Sequence, residues 1–206
     1  MSLDARPDFS ALQGLLRKPV AAAPGERCDF CALPIAAGHA HLIDLKARRI
    51  MCGCRPCALT FEPNGAAMGR FRLVPERFVR IDDLAIGDAT WDALQIPIGL
   101  AFFFHNSTDG SFGAFYPGPA GATESQLPLD AWQTVAEQHP VLSTLQADVE
   151  AILLRRLGAT TDCFIVPIDA AYELVGLIRT KWRGFDGGED AKRAIDAFFD
   201  GIERRT

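Results

Sequence analysis

Cys28-Asp29-Phe30-Cys31 and Cys54-Arg55-Pro56-Cys57 form two C-x2-C pairs, and the 22 residues between them decide how the first part of this chain folds. Two residues between cysteines let the backbone turn tightly enough for both sulfurs to reach one ion. Two such turns supply four thiolates in a tetrahedron, the donor set of a closed structural zinc site. The spacer is longer than the usual span of roughly 15 to 20 residues, yet it reads as a hairpin. His41-Leu42-Ile43-Asp44-Leu45 leads into a Lys46-Ala47 turn and returns as Arg48-Arg49-Ile50-Met51-Cys52. Folding that hairpin brings the pairs together. The pattern therefore predicts a zinc-ribbon-like module over residues 27–60, with Cys28, Cys31, Cys54 and Cys57 as metal ligands.

Cys52 is a surplus thiol. With the turn at Lys46-Ala47, Cys52 faces His41 and Cys54 faces His39, and alternate strand residues share a face. His39, His41 and Cys52 are thus candidate additional or alternative ligands, set against a plain role as supporting or surface residues. A one-residue slip in register would separate them. The metal also has two candidates, because a tetrahedral four-cysteine set holds redox-active iron as well as zinc. Rubredoxin-type iron sites carry glycine after each pair. Here Ala32 follows Cys31, Ala58 follows Cys57 and Pro56 interrupts the second pair, so zinc is favoured and iron is the alternative. Two other readings compete with a metal. One is reduced cysteines acting as small apolar residues, which fits poorly beside Gly53, Arg55 and Pro56. The other is a redox disulfide, but neither pair opens the helix of a strand–helix–strand unit.

The rest of the composition limits the classes open to the chain. It has 206 residues, 49% apolar and 23% charged, which suits a folded domain plus a small module. The longest apolar run, Ile98 to Phe104, is far below the roughly 18 to 20 residues of a membrane-spanning helix. Met1 to Asp8 lacks a basic stretch followed by an apolar one, so the expected location is the cytoplasm. There disulfides are disfavoured and clustered cysteines read as metal ligands. Charge is lopsided: residues 1–80 carry 12 basic against 7 acidic residues, a formal +5, and residues 81–206 carry 9 against 19, a formal −10. An excess of that size is too small to argue nucleic-acid binding, and docking of a basic module on an acidic domain of the same chain accounts for it.

Along the chain, Phe9, Leu12, Leu15 and Leu16 predict a helix ending before Pro19, followed by a linker to Glu26. After the module, 71–74 and 78–81 read as strands around a Pro75-Glu76-Arg77 turn, and Asp88 as the cap of a short helix through Trp91 and Leu94. Ile98–Phe104 is a buried strand, and Phe112–Tyr116 returns from a turn-rich loop as its hairpin partner. Residues 131–138 and 142–157 read as helices, the second from Leu142, Leu145, Val149, Ile152 and Leu153 at helical spacing. Cys163–Val166 is a strand, with Cys163 in the core. Two more helices follow, one through Leu174, Val175, Ile178 and Trp182 and one from Ala191 to Ile202. The expected fold class is α+β: an N-terminal helix and linker (1–26), the metal module (27–60) and a mixed domain with a small, largely antiparallel sheet (61–206).

No phosphate loop, H-E-x-x-H, G-x-S-x-G or G-x-G-x-x-G occurs, and His105 and His139 sit in no catalytic pattern. Two stretches remain as a candidate ligand or partner surface. The segment 116–125 reads as a small-residue loop directly after a strand; it is a plain connector on the favoured reading, and as a binding loop it contributes Tyr116, Thr123 and Glu124. Polar and aromatic groups on and after a helix contribute Asp169, Tyr172, Arg179, Trp182 and Arg183. An arginine at a helix end also serves the macrodipole, and Gly184 serves as a cap.

These segments resemble a bacterial family of cysteine-rich, zinc-ribbon-like proteins encoded near high-affinity nickel–iron hydrogenases. The matching stretches are Cys28–Cys31, His41–Leu45, Cys52-Gly53-Cys54-Arg55-Pro56-Cys57-Ala58-Leu59, Ile98–Phe104, Phe115–Ser125 and Leu174–Gly184. The resemblance implies an accessory role beside a hydrogenase, in maturation, assembly or electron transfer, with hydrogenase subunits or maturation factors as partners. It brings no catalytic residues. The expectation is a non-enzymatic zinc protein acting through protein contacts, with a rubredoxin-like electron carrier as the alternative.

Overall fold

A computed structural model describes residues 25–61, 66–82, 84, 86–93, 96, 98–118, 120–125, 139–158, 160–184 and 187–206. The helices expected over 8–18 and 131–138 lie outside them. The chain order is β1 (Ala40–Asp44), β2 (Arg49–Gly53), α1 (Arg55–Thr60), β3 (Phe71–Leu73), β4 (Val79–Arg80), α2 (Asp88–Ala93), β5 (Leu100–His105), β6 (Phe112–Gly118), β7 (Gly121–Glu124), β8 (Glu150–Leu157), β9 (Thr160–Pro167), α3 (Ile168–Lys181) and α4 (Gly188–Glu203). Helices and antiparallel sheets are mixed, which is the expected class. One sheet has three strands in the order β2-β1-β3, the other six in the order β4-β9-β8-β5-β6-β7.

The six-stranded sheet is buried on both faces, and its alternation shows how. Leu100, Phe102, Ala151, Leu153, Phe164 and Val166 point to one side, where they meet Leu174, Val175 and Ile178 of α3 and Phe199 and Ile202 of α4. Ala101, Phe103, Ile152, Leu154, Cys163 and Ile165 point to the other, against Ile81, Trp91, Ile96 and Leu142. Where the central strands cross the core, consecutive positions are apolar, as in Ala151–Leu154 and Cys163–Val166, which removes the polar–apolar alternation of a half-exposed strand.

That accounts for one correction. Residues 142–157 are not an amphipathic helix: a short 3-10 turn spans Pro140–Thr144, and Glu150–Leu157 is the strand between β5 and β9. A continuous apolar run satisfies helical spacing as well as it satisfies a doubly buried strand, and only its partners separate the two. A second correction concerns 116–125. The segment is not a loop after a strand, because β6 continues through Gly118 and returns as β7, with Tyr116 opposite Thr123. Residues 71–74 and 78–81 contain strands as expected, but in different sheets. β3 pairs with β1 and β4 with β9, so Pro75-Glu76-Arg77 is a crossover between sheets.

The two sheets share one core, since Ile43 and Val74 join the cluster that holds Phe102, Phe164 and α3. Polar ties reinforce the junction. Arg48 meets Asp109, Arg72 meets Asp148, and Arg77 meets Glu150. In each pair the cation comes from residues 1–80 and the carboxylate from 81–206. The opposite charge of the two parts is thus used within the chain.

One ion pair sets a pH response. Asp44, at the end of β1, accepts from Arg70 Nε and Nη2 at 3.0 and 2.5 Å and from the backbone N–H groups of Lys46 and Ala47. The Arg70 guanidinium, helped by those N–H groups and opposed by burial, lowers the carboxyl from 3.8 to about 2. A depressed carboxyl contributes stability that is complete above its unfolded pKa and is lost as pH falls through the folded one. Unfolding free energy should therefore fall between about pH 4 and pH 2. Asp44→Asn should be less stable at neutral pH and flatter across that window, which denaturant titration at a series of pH values measures.

Candidate metal centre

The hairpin forms with the register expected from its turn: Ala40 opposes Gly53, His41 opposes Cys52 and Asp44 opposes Arg49. Gly53 lets the strand pack closely at this point. A Cβ there would lie 2.6 Å from Cδ1 of the fully buried Leu42, so a side chain at this position would force Leu42 to shift. From this hairpin the two C-x2-C turns converge. In the first, Ala32 N–H donates to Cys28 O and Cys28 N–H donates to Leu33 O, closing the turn. Ala32 takes φ 61°, a left-handed conformation that favours glycine. Asp29 ties this turn to β2 twice: its N–H donates to Cys52 O, and its carboxylate accepts from Cys52 N–H at 2.6 Å. In the second, Cys54 precedes α1, whose first turn carries Pro56, and Cys57 lies one turn along on the same side.

Phe30, Phe61 and Phe71 clamp the two turns onto the sheet, with ring centroids 4.7 to 5.2 Å apart. The result is a cluster. One ligand atom from each of Cys28, Cys31, Cys54 and Cys57 lies within 4.8 Å of the others, and the Cys31 and Cys54 sulfurs are 3.6 Å apart. For metal–sulfur bonds of about 2.3 Å, a tetrahedron has edges of about 3.8 Å. These four cysteines can hold a metal ion.

Their electrostatics fit that capacity. Burial opposes ionisation of Cys28, but the N–H groups of Cys54, Cys31 and Phe30 aimed at its sulfur prevail and bring it down to about 6. Cys57 is pushed up to about 12, first by its hydrogen bond with Cys54 and then by burial and the other thiols. One thiolate forms readily, and the next ones repel it. A cation is what lets all four ionise together.

Beside this set lies a second. His39, His41 and Cys52 also place one ligand atom each within 4.8 Å of the others, and the two imidazoles meet edge to face at 4.7 Å. Cys54, expected on their face, belongs to the four-cysteine set instead, because the chain leaves the strand after Gly53. Asp169, at the start of α3, reaches from the helix that packs on the other sheet to His41 Nδ1 at 2.5 Å. That hydrogen bond outweighs burial and raises the pKa of His41. No sequence signal could have linked positions 128 residues apart.

Of the other candidate residues, Asp169, Glu124 and Tyr172 line two clefts, and Tyr116, Thr123, Arg179, Trp182 and Arg183 line neither. A cleft of about 870 Å3 is lined by His39, His41, Arg55, Glu76, Asp169 and Glu173, among others. A second, of about 570 Å3, has Tyr172 and Glu124 in its wall. Tyr172 packs edge-on against Phe102, and burial pushes its hydroxyl up. Tyr116 and Thr123 sit opposite each other on β6 and β7. Arg179 is exposed on α3. Trp182 and Arg183 organise the exit from that helix: Trp182 Nε1–H donates to Gly184 O, and Arg183 N–H donates to Gly187 O. Cys163 is in the core, with burial pushing its thiol far up.

A family model matches residues 27–206, from the residue before the first cysteine to the end of α4 and beyond. The chain belongs to the family of unknown function DUF5947. Neither the curated proteins nor the solved structures contain a match. The family's span begins where the cysteine turns begin, so it takes in both ligand sets and both sheets. Among the described residues no helix is long and apolar enough to cross a membrane.

Proposed function

We propose that this member of DUF5947 is a non-enzymatic accessory protein in which Cys28, Cys31, Cys54 and Cys57 bind one zinc ion, and which acts through contacts with another protein. The convergence of four cysteine ligand atoms within 4.8 Å carries the reading. A set of four thiolates leaves no open position for substrate, so the ion's role is structural: it pins the first turn, β2 and α1 to one another. Alanine after each pair, where rubredoxin-type sites have glycine, favours zinc over iron. Leu33 and Leu59, each two residues beyond a cysteine of the set, are 60% and 53% exposed and offer apolar contacts beside the ion. The resemblance to proteins encoded near nickel–iron hydrogenases supports a hydrogenase subunit or maturation factor as the partner.

The exposure of Cys31 favours one other reading, a rubredoxin-like electron carrier with iron at the same cysteines, since electrons need a ligand near the surface. Metal content and the visible spectrum separate the two. Protein purified without added metal should be colourless and contain zinc bound at the four cysteines. Red protein that bleaches on reduction would overturn the zinc reading.

A further inference from the structure

We propose that His39, His41 and Cys52 form a second metal site, distinct from the four-cysteine set, that takes a borderline divalent cation of the zinc type and opens onto the 870 Å3 cleft. The inference stands apart from the accessory role above and does not depend on it.

Both imidazoles are held in the tautomer that a metal needs. His39 Nδ1 lies 2.8 Å from Ala36 O. A carbonyl oxygen only accepts, so Nδ1 carries the hydrogen and the neutral ring leaves its lone pair on Nε2. That Nε2 is buried and has no hydrogen-bond partner among the described residues, on a side chain only 6% exposed. Unpaired buried polar atoms are rare in folded proteins and mark missing ligands among a few other causes. His41 is fixed the same way, by Asp169 in place of a carbonyl, which is the carboxylate–histidine arrangement that orients and strengthens metal-bound imidazoles. Cys52 is placed by the hairpin register, directly opposite His41, and its backbone is locked by both bonds to Asp29.

Two nitrogens and one sulfur suit zinc, cobalt or a related borderline ion. Three protein ligands leave one coordination position for water or a small ligand, as in catalytic rather than structural sites. His39, His41 and Asp169 line the cleft, so that position is reached from it. Cys52, His41 and Asp169 also follow the order of a nucleophile, a base and an orienting acid. Against that use, Cys52 is not part of the cleft wall, and burial, with Asp29 and Glu26 nearby, raises its pKa instead of lowering it. Such a triad also gives the buried Nε2 of His39 nothing to do.

Titration of the metal-free full chain with Co2+ tests the proposal. The four-cysteine set should give an intense thiolate-to-cobalt charge-transfer band, and the second site about a quarter of that intensity, from one thiolate against four. The full chain should bind one equivalent more than Cys52→Ser or His39→Gln, and both variants should keep the four-thiolate band, which reports that the turns remain folded. Asp169→Asn should keep the equivalent but weaken it by roughly 10- to 100-fold. In the unsubstituted chain the last equivalent should slow alkylation of Cys52. Equal stoichiometry in the chain and both variants overturns the proposal, as does an alkylation rate that ignores the metal. Absence of the four-thiolate band would count against the four-cysteine set alone, because the equivalent that depends on Cys52 and His39 is scored separately.

Discussion

Cys28→Ser should lose the metal and release the hairpin, with the first turn and β2 becoming open to proteolysis while the six-stranded sheet stays folded. A structural zinc site contributes on the order of 10 to 16 kcal/mol of apparent binding energy at neutral pH, and that energy is also folding energy. Apart from Ile43 in the shared core and the ties of His41 to Asp169 and Arg48 to Asp109, the region around these cysteines has little else to hold it. Its own buried apolar residues are few, chiefly Leu42, Met51 and Ala58, and Phe30, Phe61 and Phe71 are only partly buried. Among the four, Cys28 should matter most. It is 2% exposed and its sulfur collects three backbone N–H groups, all of which a serine would leave poorly matched. Cys31 is exposed, and a serine or a water there can be solvated. The expected order of metal affinity is therefore unsubstituted protein, then Cys31→Ser, then Cys28→Ser. Metal content after dialysis gives the order, and limited proteolysis with mapping of the cut sites locates the loss. Cys28→Ser with full metal content and unchanged cleavage would remove Cys28 from the ligand set. A chelator should reproduce the cleavage pattern of Cys28→Ser in the unsubstituted protein.

The cysteine hairpin was readable because its determinants are local. The turn at Lys46-Ala47 sets the register, and the register alone puts Cys52 opposite His41. Strands β5, β6 and β9 were legible from apolar runs bounded by turn formers, and α3 and α4 from helical spacing. One failure depends on partners far along the chain, the other on a short strand return hidden by turn-forming residues. Ala151-Ile152-Leu153-Leu154 has the composition of a helix face or of a buried strand, and only β5 on one side and β9 on the other decide between them. Tyr116 to Ser125 looked like a connector because glycine and proline crowd it, yet Phe115 and Tyr116 find partners in Glu124 and Thr123. For the site, residue types and spacing named both ligand sets. The carboxylate on His41 comes from a helix in the other half of the chain, and the orphaned Nε2 of His39 exists only once the fold has buried it.

Arg77→Ala should cost about 3 kcal/mol, the lower end of the range for breaking a buried ion pair by removing one partner. Glu150 is completely buried at the start of β8, and Arg77 meets both its oxygens, Nε to Oε1 at 2.7 Å and Nη2 to Oε2 at 2.8 Å. Without the guanidinium, the carboxylate keeps, among the described residues, the N–H of Gln146, at 2.8 Å. The lower end applies because the Arg77 side chain is 35% exposed, so water can reach part of the space it vacates. The pair also does a geometric job. Arg77 lies on the crossover from β3 to β4, the segment that carries the chain from one sheet to the other, and Arg77 Nη2–H also donates to Thr144 O. Val74, Pro75, Glu76 and Phe78 on the same crossover form part of the cleft wall beside His39 and His41. Arg77→Ala should therefore lower the denaturation midpoint with little change in slope, and should weaken Co2+ at His39, His41 and Cys52 more than at the four cysteines. Arg77→Met combined with Glu150→Gln, which removes both charges and keeps an acceptor for Gln146 N–H, should recover much of the lost stability. If that double variant is no more stable than Arg77→Ala, the cost lies in the packing of the arginine stem and not in the stranded carboxylate.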